Sequence, residues 1–296
     1  TGISNQTVYG PHCSNGAYTP FELIQKFNKT WTVYQDSVTS HKSSYQLPWY
    51  TPPSCVSSYL AVGDTSKGVH PYLLPFEAAE DDQNYLYQRG DVPVLSGKKS
   101  VFALYSDRNV IKGSSNQETS LNISVELYQS SNAATSDAHA STVFARFRVT
   151  NVGSVPIDSL LVGLVADFDI GVADNDYVGT DVARNFIYGM NYVSAEPANS
   201  YGPFTPAMGV LALGHDLQRT MRYNPGITLL SSQSMPTNIH QEFDYLKGIG
   251  PDGTVLPQYY APGDPLTKTG ALDDTLVVNF FDRAMILALP VQDLVP

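Results

Sequence analysis

Cysteine is nearly absent from this chain of 296 residues, which has only Cys13 and Cys55. Their spacing excludes the paired Cys-x-x-Cys ligands of a structural zinc site. In an oxidising compartment they would close a loop running from 13 to 55, worth roughly 4 kcal/mol in the chain-entropy account. Two buried free thiols are the alternative; we expect the disulfide. Basic residues are also scarce, with 17 Lys and Arg against 28 Asp and Glu and a net charge of −11. A nucleic-acid partner requires a basic footprint, and only Lys98 and Lys99 stand together. An anionic membrane surface is excluded for the same reason. No apolar run reaches the roughly 18 residues of a membrane helix, the longest being near 284–291. The sequence opens at Thr1 rather than Met, so either it simply starts there or a signal peptide has been removed; we expect the latter, and an extracellular or cell-surface protein.

Reaction centres are missing as well. The six histidines (His12, His41, His70, His139, His215 and His240) are scattered, and there is no Gly-x-Ser-x-Gly elbow and no His-Glu-x-x-His. Gly248-Ile-Gly250-Pro-Asp-Gly253 formally matches a dinucleotide fingerprint, but it follows a helical pattern and contains Pro251. It therefore reads as a helix stop and turn. We expect no enzyme.

What the chain does have is tyrosine, 19 of them, with abundant Ser, Thr, Asn, Gly and Pro. That composition suits pleated surfaces joined by many turns. Strand signals fall at 100–106, 123–129, 142–150, 159–169, 185–192, 207–213, 227–232 and 275–289. In the clearest, Val143, Ala145, Phe147 and Val149 face one way and Phe144, Arg146 and Arg148 the other. The fold class expected is all-β, an antiparallel sandwich or jelly roll, with one short helix near 237–247. Thr237 would cap that helix, Ile239, Phe243 and Leu246 would form its apolar face, and Gly248 would end it. Residues 1–57 read as an N-terminal arm clipped by Cys13 and Cys55, with a strand near 30–37, and residues 58–296 as the sandwich domain. Sequons at Asn5, Asn28 and Asn122 are candidate glycosylation sites.

The chemically informative stretch is Asp167-Phe-Asp169-Ile-Gly171, followed by Asp174-Asn-Asp176 and Asp181. On a continuing strand Asp167 and Asp169 share a face, and the next loop can return Asp174, Asp176 and Asp181 towards them. Clustered carboxylates repel unless a cation lies among them, and Ca²⁺ accepts six to eight oxygens in flexible geometry. A structural calcium site is one reading. Asx-turns that cap a long loop are another, and the acid and nucleophile of a glycosidase a third. The tyrosines with Trp31 and Trp49 allow a sugar-stacking platform, although aromatics at strand spacing more often fill cores.

Four stretches resemble a secreted domain of Bacteroidota- and Ignavibacteria-like bacteria. They are Ser100-Val-Phe-Ala-Leu-Tyr-Ser-Asp107 with the strand after it; Phe144-Ala-Arg-Phe-Arg-Val-Thr-Asn-Val-Gly-Ser154 leading to Asp167-Phe-Asp-Ile-Gly171 and Asp176-Tyr-Val-Gly-Thr-Asp181; Tyr201-Gly-Pro-Phe-Thr-Pro-Ala-Met-Gly209; and Tyr245-Leu-Lys-Gly248 through to Gly263-Asp-Pro-Leu-Thr-Lys-Thr-Gly270. The resemblance spans roughly residues 100–275. It implies an extracellular β-sandwich and carries over no catalytic residue. Ala166 stands where the family has an aromatic, and the sequence carries no C-terminal sorting domain of the family's kind, which leaves the export route open. With no reaction centre and an apolar C-terminal run that needs a sheet to bury it, we expect a self-assembling subunit of a filament, sheath or surface layer. Its partners would be other copies of itself, joined by a terminal arm or strand. A carbohydrate-binding or adhesion module and a glycan-processing enzyme are the alternatives.

Overall fold

The computed structural model describes residues 8–9, 30–36, 97–107, 121–129, 138–191, 197, 200–225, 231–273, 282–290 and 292–296. Cys13, Cys55, Asn5, Asn28 and Trp49 lie outside these residues. The chain divides into two compact units, one of Asn5–Ile157 with Leu294–Pro296, the other of Thr1–Ser4 with Asp158–Asp293.

The described residues of the first unit form one antiparallel sheet. β3 (Lys99–Ser106) pairs with β4 (Leu121–Tyr128) on one side and with both β1 (Val8–Tyr9) and β2 (Trp31–Tyr34) on the other; β5 (Phe144–Asn151) follows β4. The strand expected near 30–37 is β2. Register determines what each face carries. Tyr105, Ile123 and Val149 stand in one row, Ala103, Val125 and Phe147 in the next, and Val101, Leu127 and Ala145 in a third. These nine apolar residues share one face, with Leu127 and Phe147 exposed. The opposite face carries Phe102 and Leu104 with Ser100, Ser106, Asn122 and Glu126, all buried. Ser100 Oγ donates to Glu126 Oε1 at 3.0 Å, and Arg146 Nη1 to Oε2 at 3.3 Å, so the buried carboxylate is paired. Asn122, the candidate sequon within the described residues, is 1% exposed.

Among the described residues, the second unit holds two three-stranded antiparallel sheets and a two-stranded ribbon. β8 (Asp176–Asp181), β9 (Phe186–Asn191) and β10 (Ala207–Leu211) form one sheet in the order β10-β9-β8. β7 (Gly163–Asp167), β11 (Arg219–Tyr223) and β12 (Ala284–Ala288) form another in the order β11-β12-β7. β6 (Ile157–Leu160) and β13 (Gln292–Leu294) make a two-stranded ribbon. Phe168, Ile170, Val178, Ile187, Leu217, Met285 and Leu287 make one core cluster. Met221, Tyr245, Ile286 and Ala288 make a second. β12 contributes alternate residues to both clusters and is the central strand of its sheet. That explains why Ala284–Ala288 is continuously apolar rather than alternating. The fold is all-β and sandwich-like, as the composition indicates.

Three expectations are corrected. The strand expected at 159–169 is broken into β6 and β7, with Ser159 in the left-handed region at φ 61°. Residues 176–181, read as loop, are β8, because Tyr177, Val178 and Thr180 favour extended backbone once both faces are buried. The helix α1 (Ile239–Lys247) is capped by Asn238, whose side chain accepts from Gln241 N–H at 3.0 Å, while Thr237 donates its own N–H to Gln241 Oε1 at 2.9 Å. Its buried face centres on Tyr245 and Leu246; Ile239 and Phe243 are exposed, the latter under the Lys247 ammonium at 4.1 Å. Gly248, at φ 87°, ends the helix as expected.

Candidate cation site and open strand edge

β7 ends on Asp167. Phe168 then enters the core, Asp169 turns out at φ 37°, and Ile170 enters the core again. The alternation therefore outlasts the strand and leaves both carboxylates on the outer side. β12 runs antiparallel to β7 with Ala284 opposite Asp167, so Asp282, just before β12, comes to the same end. Carboxylate oxygens of Asp167, Asp169 and Asp282 all lie within 4.8 Å of one another. Among the described residues no second group of three acidic, histidine or cysteine ligands gathers this way.

The electrostatics follow from that crowding. Partial burial, then the charges of Asp282 and Asp169, push the Asp167 carboxyl up to about 6. Asp282 is raised by burial and then by Asp169 and Asp174. Its Oδ1 is buried with no hydrogen-bond partner. The phenol of Tyr223 is also raised, first by burial and then by Asp167 and Asp282.

Of the five aspartates singled out in the sequence, the structure brings together Asp167 and Asp169. Asp174 is close enough for its charge to act on Asp282. The buried Asp176 caps the loop instead, with Oδ2 accepting from Ile170 N–H at 2.6 Å. Asp181 pairs with Arg184 at 2.5 Å and accepts its backbone N–H at 2.9 Å. Asp282 is the member that sequence reasoning missed. Its only local signal is an acidic residue directly before Arg283 and the apolar run. The described tyrosines divide: Tyr177, Tyr188 and Tyr245 are buried, and Tyr34 and Tyr201 exposed.

The outer edges of the second unit's sheets are treated unequally. Along β8, Thr180 N–H donates to Ala261 O at 3.2 Å and Val178 N–H to Asp273 Oδ2 at 3.2 Å. Along β11, Thr220 N–H donates to Gln258 O at 3.0 Å. β7 ends on the acidic cluster, and charge discourages strand addition. β10 pairs with β9 through all five of its residues, and among the described residues nothing bonds its other edge. From Gly202 to Gly214 there is no charged side chain, and Phe204, Met208, Leu211 and Leu213 are exposed, Phe204 by 86%. No protein-family model matches this chain, nor does any curated protein or solved structure.

Proposed function

We propose that this protein is an exported structural subunit that assembles with copies of itself. The observation that carries the reading is β10, an uncharged, apolar strand whose outer edge bonds nothing among the described residues, in a unit whose edges at β8 and β11 are closed by the chain's own backbone and side chains. Such an edge is a template for a further strand, and natural proteins usually blunt it with charge, proline or a covering segment. The described strands nearest the two ends, β1, β2 and β13, have partners within the chain, as does β12. On this reading the join lies at β10. An antiparallel β10–β10 pair closes a two-fold dimer, so an open polymer needs a second surface. Leu127 and Phe147, exposed on the apolar face of β4 and β5, would supply one. Export is supported by the resemblance of residues 100–275 to a secreted domain.

Asp167, Asp169 and Asp282 are proposed to hold a divalent cation, Ca²⁺ by its taste for several oxygens, with water completing the shell. The cation would offset the burial and the mutual repulsion that raise two of these carboxyls. The carbohydrate-binding alternative is favoured by one feature: Tyr201 and Phe204 expose aromatic rings on the turn before β10.

Sedimentation and electron microscopy of the full chain test assembly. Dimers or polymers should form, and Met208→Lys with Leu211→Lys should reduce them to monomers without loss of fold. A wild-type chain that stays monomeric up to its solubility limit would refute the proposal. Glycan-array binding lost in Phe204→Ala by a monomer would favour the alternative.

A further inference from the structure

Residues 263–271 form a loop whose construction is tighter than a surface turn requires. Asp264 N–H donates to Thr269 O at 2.8 Å, Thr269 N–H returns to Asp264 O at 3.2 Å, and Gly263 N–H donates to Ala271 O at 2.8 Å. The hydroxyls of Thr267 and Thr269 share a hydrogen bond at 2.9 Å. Lys268 is held at φ 54° and Gly270 at φ 82°. A Cβ added to Gly263 would meet Ala271 O and Thr269 O at 2.6 Å, so only glycine fits there. A non-glycine residue held at positive φ in an over-determined loop marks a conformation that its surroundings impose.

What the loop holds in place is an Asp–Pro bond. Asp264 Oδ1 accepts from Leu266 N–H at 2.8 Å and from Thr267 N–H at 3.4 Å, which folds the carboxylate back across the bond to Pro265. The carbonyl oxygen of that bond accepts from Thr269 N–H, the return half of the antiparallel bridge between residues 264 and 269, so the carbonyl too is held in place. We propose that Asp264–Pro265 is a self-cleavage site, at which the Asp264 carboxylate attacks its own backbone carbonyl carbon.

The steps balance without a cofactor. An Oδ–C bond forms as the C–N bond to Pro265 breaks, giving a five-membered cyclic anhydride at residue 264. The proline nitrogen, a tertiary amide and hence the best-disposed peptide nitrogen to leave, takes a proton from water. A second water opens the anhydride, leaving a free α-carboxylate on Asp264 and a new amino terminus at Pro265. Fixing nucleophile and carbonyl in one geometry supplies the rate that an unconstrained Asp–Pro bond lacks. The loop N–H groups also hold the Asp264 carboxyl below the usual range, keeping it in its nucleophilic form. Because β12 lies C-terminal to the bond and at the centre of its sheet, the two pieces would stay associated until denatured.

The purified full chain is incubated folded and, separately, unfolded in urea, at the same mildly acidic pH, and both are followed by mass spectrometry. Fragments 1–264 and 265–296 should accumulate on the order of tenfold faster from the folded chain. Hydroxylamine added to the folded chain should leave a hydroxamate on residue 264. Asp264→Asn, which keeps the acceptor for Leu266 N–H, should stop the cleavage. Cleavage no faster in the folded chain than in urea overturns the proposal whether or not any variant folds. The outcome is independent of self-assembly at β10.

Discussion

Asp273 Oδ1 lies 3.6 Å from Arg222 Nη1, with both side chains buried. The other oxygen lies 3.3 Å from Arg283 Nε, so one carboxylate stands between two buried guanidiniums. Tyr260 donates its hydroxyl to Oδ1 at 2.5 Å, and Val178 its backbone N–H to Oδ2 at 3.2 Å. Asp273→Ala leaves two positive charges out of water and takes the acceptor from Val178 N–H on the edge of β8. The expected loss is about 3–5 kcal/mol in urea denaturation. A loss under about 1 kcal/mol would mean that water already reaches these groups.

The acidic cluster makes stability depend on pH in an unusual direction. Asp167 titrates near 6 in the folded protein against an ordinary 3.8, so folding binds protons between these values. A raised carboxyl penalises the fold above its folded value, and that penalty is relieved as pH falls through 6 towards 3.8. In chelator, the melting temperature should therefore rise from neutral pH towards about 5. Asp282→Asn should flatten that rise.

Calcium should raise the melting temperature at neutral pH and EGTA should reverse the gain. Asp282→Asn should abolish the response, whereas Asp181→Asn should leave it, because Asp181 is engaged with Arg184. Equal loss in both variants would point to unspecific screening by the ion rather than a site.

Gly189 on β9 leaves room for a ring: a Cβ there would lie 2.4 Å from Phe168 Cγ. Phe168 belongs to the core cluster and cannot simply withdraw. Gly189→Ala should cost about 1–3 kcal/mol, measured by thermal unfolding.

Much of the fold was legible because strand period and turn chemistry are local. The alternation at Val143 to Val149 placed β5 and its two faces, and Gly248 marked the end of α1 correctly. The cap moved by one residue to Asn238, the stronger N-cap type of the two, whose side chain takes the Gln241 N–H, while Thr237 gives its own N–H to the Gln241 side chain. The buried helix face was misjudged because Tyr245, polar at its tip, donates its hydroxyl to Arg222 O and so tolerates complete burial.

The candidate site was half legible. Asp167 and Asp169 are two residues apart, and their sharing a side follows from period two, even past the end of β7. The other three aspartates were assigned by nearness in sequence, yet Asp176 and Asp181 bound β8, whose hydrogen bonds and local partners claim them.

The sequence by itself determined the class of architecture, the acidic surface, the buried nature of the run that became β12, and the pairing of Asp167 with Asp169. All of these rest on composition or on spacing along one strand. Tertiary structure alone decided that Asp282 joins them and that the outer edge of β10 bonds nothing among the described residues. The pairing of β7 with β12, and the segments that close β8 and β11, are contacts between residues far apart in the chain, which no local period encodes.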